Sequence, residues 1–179
     1  MISFLLKKLQ KMNRVDNALC FSDNRYRNKH YAAFLQLFDS KNVTVADIID
    51  LGYKLMRKGR LHPHFFGKNS LLDTALYLTF FALDLPYTWN NEQFFTRLIT
   101  PTQALKIIGL FEKRICLRIP VEYITQETWY SGFQFYVNEN VLVPRSIMNT
   151  RFHDFLNDQQ WDNYRVLDLC TGSGCIGIT

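Results

Sequence analysis

The chain has 179 residues, room for one ordinary domain or two small ones. With 47% hydrophobic and 21% charged residues, and only eight Gly and five Pro, it is not composed like a disordered, linker-like or collagen-like chain. The net charge is +5. The most apolar run, Thr74 to Leu83, is well short of the roughly 18–20 residues that cross a bilayer, so no membrane partner is expected.

The charge is unevenly placed. Residues 1–60 carry twelve Lys and Arg against five acids, whereas residues 61–179 carry nine against eleven. Lys7, Lys8, Lys11 and Arg14 flank an apolar pattern of Leu5, Leu9, Met12 and Leu19, which reads as an amphipathic helix. Its basic side is either a solvated helix face or a surface for RNA, where Lys and Arg gain affinity by releasing condensed counterions. The apolar residues of the N-terminus precede its lysines, the wrong order for a secretory signal. A cytoplasmic chain is expected. Cys20, Cys116, Cys170 and Cys175 lack C-x-x-C spacing and read as reduced, packed thiols. His62 and His64 have no cysteine pair to join them, so no metal is expected.

In chain order, the first two thirds are helical. Thr44-Val-Ala-Asp47 and Ser70-Leu-Leu-Asp73 fit capping boxes. The first precedes an apolar stripe of Ile48, Ile49, Leu55 and Met56, the second one of Leu72, Ala75, Leu76, Thr79 and Leu83. Thr100-Pro101-Thr102-Gln103 adds a proline at the first helical position, followed by Ala104, Ile107, Ile108, Phe111 and Ile115. The period then changes. Thr128–Val137 is aromatic and β-branched with Ser131-Gly132 at its centre, the signature of a hairpin or a bulged strand. Val141-Leu-Val-Pro-Arg145 is extended before its proline, and a helix follows through Ile147, Met148, Phe152, Phe155 and Leu156. Val166–Cys170 reads as a short strand of a parallel sheet.

That strand enters Thr171-Gly-Ser-Gly-Cys-Ile-Gly177. Strand, glycine turn and helix start form a cofactor-binding arrangement, since glycines let the backbone approach a ligand and turn sharply. Gly172, Gly174 and Gly177 also match the dinucleotide fingerprint, so a nicotinamide-dependent oxidoreductase stays open. Asp168, four residues before the first glycine, is a carboxylate that needs partners once buried.

Val-Leu-Asp-Leu-Cys-Thr-Gly-Ser-Gly-Cys resembles the first motif of the S-adenosylmethionine-dependent methyltransferases. Together with Arg118–Thr125, Trp129–Val137 and Val141–Ser146, it makes the chain resemble the protein-glutamine methyltransferases, within them the branch that modifies large-subunit ribosomal protein number three. The resemblance implies an α+β chain in three parts. Residues 1–118 would be a helical bundle that recognises the substrate, and 119–145 a β-hairpin connector. Residues 146–179 would be the truncated start of a Rossmann-like class I methyltransferase domain.

It further implies methylation of a glutamine side-chain amide nitrogen, with a large-subunit ribosomal protein as substrate. S-adenosylmethionine would be held by Asp168, Cys170, Thr171, Gly172, Ser173, Gly174 and Arg145. The family's Asn-Pro-Pro-Tyr motif does not occur in the 179 residues, so no catalytic residue is assigned and the chain alone is expected to be inactive. The alternative is a helical module that binds a ribosomal protein or rRNA without chemistry.

Overall fold

The computed structural model describes residues 42–61, 70–87, 92–144, 165 and 167–179. Met1–Ile119 and Pro120–Thr179 form two separate compact units. The basic segment around Lys7–Arg14, the helix expected after Ser146, His62, His64 and Arg145 lie outside the described residues. Among those described, the elements are helices with one small antiparallel sheet, a mixed α+β chain.

In the first unit, α1 spans Val45–Lys58 and begins at the expected capping box. Asp47 N–H donates to Thr44 Oγ1 at 3.3 Å, and Thr44 N–H donates to Asp47 Oδ2 at 3.0 Å. The first amides of a helix have no partner inside it. Here Val45 N–H donates to the Arg97 carbonyl at 2.9 Å and Ala46 N–H to that of Phe95 at 3.1 Å. Ile99 N–H returns to the Val43 carbonyl at 2.9 Å. This strap joins segments about fifty residues apart and has no local sequence signal. At the other end of α1, Arg118 Nη2 donates to the Gly59 carbonyl at 2.8 Å.

The second helix, α2, spans Ser70–Ala82. Ser70 itself belongs to the helix and its side chain lies outside the described residues, so the second expected capping box has no described counterpart. The buried face also differs from the expected stripe. Ala75, Leu78, Thr79, Phe80, Ala82 and Leu83 are buried, while Leu72 is 40% exposed. The cause is that α2 is apolar nearly all round, so periodicity cannot single out one face. The buried hydroxyl of Thr79 is paired, since it donates to the Ala75 carbonyl at 2.7 Å.

A short 3-10 turn, Glu92–Phe94, leads to α3, Pro101–Ile115, which opens on the Thr100/Gln103 capping box with proline at its start. Its buried face includes Ala104, Ile107, Ile108, Phe111 and Ile115, as expected. The three helices pack against one another. Among the described residues of this unit, Ile48, Met56, Leu78, Phe80, Ile107 and Phe111 are the largest fully enclosed side chains. Phe80 anchors an aromatic cluster edge-to-face with Tyr87 and Phe94, at centroid distances of 6.3 and 5.7 Å.

In the second unit, α4 covers Val121–Thr125 and stops at Gln126, which is left-handed at φ 59°. Strands β1, Glu127–Tyr130, and β2, Phe133–Tyr136, form the expected hairpin. Its two-residue turn, Ser131-Gly132, has both φ values positive, at 56° and 83°, as a type I′ turn demands. The last helix, α5, is Cys175–Ile178. The strand expected over Val166–Cys170 is not formed among the described residues. Leu167 and Leu169 are 78% and 75% exposed, and Leu169-Cys170 lie in a turn. A parallel strand is held by neighbouring strands, and the sheet among the described residues contains only β1 and β2.

Candidate functional site

The Asp168–Gly174 loop alternates handedness. Cys170, Gly172 and Gly174 have φ values of 59°, 59° and 76°. Glycine takes this region without strain, whereas a side chain there costs about 1–2 kcal/mol. At Gly172 the conformation alone calls for glycine, because an added Cβ would come no nearer than 3.8 Å to Val141 Cγ2. At Gly174 a Cβ would also crowd Ile178 Cδ1 at 3.3 Å. Two bonds pin the loop internally. Thr171 Oγ1 donates to the Asp168 carbonyl at 2.9 Å, and Gly174 N–H donates to the Thr171 carbonyl at 3.0 Å.

The segments preceding the loop in sequence close around it. Val141 lies alongside Gly172, and its carbonyl accepts a 2.8 Å bond from the Tyr123 hydroxyl of α4. Tyr130 and Phe135, on the same face of the hairpin, are buried with Cys175, and Ile176 packs against them. The hairpin, the Val141 segment and the loop are therefore one packed assembly. Cys175 is buried as expected, but Cys170 is an exposed free thiol. The left-handed turn at Cys170 carries its side chain out of the packed interior.

The polar groups of this assembly are incompletely matched. Asp168 Oδ2, Ser173 Oγ and Tyr130 Oη are buried with no hydrogen-bond partner among the described residues. Each such group costs about 1–3 kcal/mol if nothing ever pairs with it. The Asp168 carboxylate lies beside α5, since a Cβ on Gly177 would sit 3.5 Å from Oδ2. A carboxylate and a hydroxyl left open on a glycine-rich loop suit a ligand carrying both a cationic donor and polar acceptors. That chemistry fits the aminoacyl end of S-adenosylmethionine. Asp168, Cys170, Thr171, Gly172, Ser173 and Gly174 are brought together by continuity of the loop, while Arg145 lies outside the described residues. Tyr130, one of several aromatic residues in its segment, has no local sequence feature that sets it apart from core packing; its burial on β1 is evident in the structure alone. Among the described residues no cluster of three His, Cys, Asp or Glu could hold a metal.

The loop thus sets a carboxylate ahead of two left-handed glycines. No family model matches the chain. It is similar to the ribosomal protein uL3 glutamine methyltransferase of Francisella tularensis, 37% identical over 116 residues that make up 63% of this chain and 36% of that protein. It is also similar to the protein of the same name from Burkholderia pseudomallei, 36% identical over 115 residues, 63% of this chain and 37% of the relative. The chain thus spans about a third of the length of these curated relatives. Over nearly two thirds of its own length it is a homologue of proteins bearing that name, the family that its motifs resemble.

Proposed function

We propose that the chain belongs to an enzyme that transfers a methyl group from S-adenosylmethionine to a glutamine side-chain amide of ribosomal protein uL3. The supporting observation is the Asp168–Gly174 loop with its open carboxylate and hydroxyl, joined to similarity with relatives named for that activity. Their name favours methyl transfer over the oxidoreductase that the glycine pattern also admits. The bound donor supplies an electrophilic methyl on a sulfonium.

Within this chain Asp168 accepts hydrogen bonds from the donor's ammonium, and Ser173 offers its hydroxyl. Gly172 and Gly174 let the backbone turn beneath the ligand without side chains in the way. Cys170 and Thr171 complete the loop, Thr171 by bracing it against the Asp168 carbonyl. Arg145 is assigned to the same end of the site by the family motif it completes. The donor would lie at the edge of a Rossmann-like sheet in the whole enzyme, and residues 1–118 would dock the ribosomal protein. With a ribosomal protein as substrate, the place of action is the cytoplasm.

The test is methylation of purified uL3 by the intact gene product containing this chain, read by peptide mass spectrometry. One added methyl on a glutamine, dependent on the donor, is expected. An unmodified uL3 under conditions where a related enzyme modifies it would refute the reading.

A further inference from the structure

Three buried polar atoms without a hydrogen-bond partner among the described residues belong to side chains at or next to a single helical turn, and they come from two separated stretches of chain. Ser173 stands two residues before α5, Asp168 Oδ2 lies beside Gly177 within it, and Tyr130 of β1 is buried against Cys175 at its start. Tyr130 is only 7% exposed, so water does not reach its hydroxyl freely. A buried phenol normally finds a partner. One orphan is compatible with a packing accident. Three around one turn indicate a shared polar occupant.

Their chemistry is complementary. An ionised carboxylate only accepts hydrogen bonds, whereas the two hydroxyls can donate. Asp168 therefore suits an ammonium, and Ser173 and Tyr130 suit a carboxylate. A ligand bearing both is an α-amino acid or a molecule ending in one. Resting on the reading that this loop holds the methyl donor, we propose that the hairpin contributes to the donor site through Tyr130. Its hydroxyl donates a hydrogen bond to the carboxylate of the donor's amino-acid end. The hairpin is then part of the binding site as well as a connector.

The experiment uses Tyr130→Phe in the intact gene product, which keeps the ring and removes the hydroxyl. Two probes are titrated by calorimetry: S-adenosylhomocysteine, which has the amino-acid end, and methylthioadenosine, which lacks it. Loss of a single hydrogen bond to a charged group predicts roughly ten- to hundredfold weaker S-adenosylhomocysteine binding. Methylthioadenosine binding stays unchanged. The Tm of the ligand-free protein stays level or rises, because an orphaned buried hydroxyl has been removed. Tyr136→Phe, on the exposed face of the same hairpin, serves as a control and leaves both affinities unchanged.

Equal S-adenosylhomocysteine binding by wild type and Tyr130→Phe overturns the proposal while leaving the function intact. So does an equal loss for both probes, or a fall in the ligand-free Tm. Failure of the wild-type protein to bind either probe overturns the function and this inference together.

Discussion

Replacing Gly52 by alanine tests the helical packing most directly. Gly52 is a buried residue of α1. A Cβ built there lies 2.5 Å from both Cε2 and Cζ of Phe111 on α3, and 3.2 Å from the Cβ of Ala75 on α2. Comfortable carbon contacts are about 3.5–4.0 Å, so the ring or the helix must move by about 1 Å. Phe111 is 1% exposed, which leaves it no free space to retreat into. Overpacking of this kind costs about 1–3 kcal/mol. Alanine returns about 0.8–1.0 kcal/mol through helix propensity. Gly109→Ala, within α3, gains the same propensity with nothing within 4 Å of the new methyl. Subtracting the two variants cancels propensity and isolates the contact. We expect Gly109→Ala to raise stability by about 0.5–1 kcal/mol, and Gly52→Ala to fall below it by about 1–3 kcal/mol. Urea unfolding followed by far-ultraviolet circular dichroism reads both. If Gly52→Ala is as stable as Gly109→Ala, the close approach of α1 to α3 at this point is wrong.

Further expectations follow from the caps, the aromatic cluster and the loop. Thr100→Ala removes the hydroxyl that accepts from Gln103 N–H at 3.3 Å and should cost about 0.5–2 kcal/mol, visible as a lower urea midpoint. The Tyr87 phenol is held above its ordinary pKa, first by burial and then by the charge of Asp73. Folding therefore favours its protonated form, so its contribution to stability is present below the ordinary tyrosine range and lost as pH rises through the raised pKa. Ultraviolet titration of the phenolate should show Asp73→Asn bringing the midpoint part of the way down, with burial sustaining the rest. Asp168→Asn removes the anionic acceptor proposed for the donor's ammonium, a charge-assisted bond worth about 1.5–3 kcal/mol, so S-adenosylhomocysteine affinity should fall by about ten- to hundredfold. Unchanged affinity would remove Asp168 from the site.

What was legible in the sequence was local. A capping box pairs residues three apart, so Thr44 with Asp47 and Thr100 with Gln103 could be read directly, and both form. The hairpin was equally plain because a two-residue turn fixes the Thr128–Phe135 and Tyr130–Phe133 pairings once its position is known. Non-local order was not legible. Nothing near Val45 announces that its amide will find the Arg97 carbonyl, and α2 is too uniformly apolar for its sequence to choose a face. Val166–Cys170 has the composition of a buried strand, yet Leu167 and Leu169 stand in solvent. Composition expresses a preference, but only neighbouring backbone can satisfy a strand's amides and carbonyls.

The two units also differ in how their polar groups are settled. At α1 the leading amides are satisfied by Phe95, Arg97 and Thr44, and even the buried hydroxyl of Thr79 is matched by a carbonyl one turn back. Arg114, also buried in this unit, is likewise engaged by an interaction of its own. At and next to α5, by contrast, a carboxylate oxygen and two hydroxyls are buried without hydrogen-bond partners among the described residues. Evolution could have removed this cost with Phe at 130, Ala at 173 or an apolar residue at 168, each sterically modest. Polar groups that destabilise a protein on their own are explicable where a ligand completes them, because binding then recovers what folding gave up. The glycines of the loop would serve a ligand site or a tight turn equally, whereas the hydroxyl of Tyr130, taken together with Asp168 and Ser173, is accounted for by the proposed ligand and not by the turn.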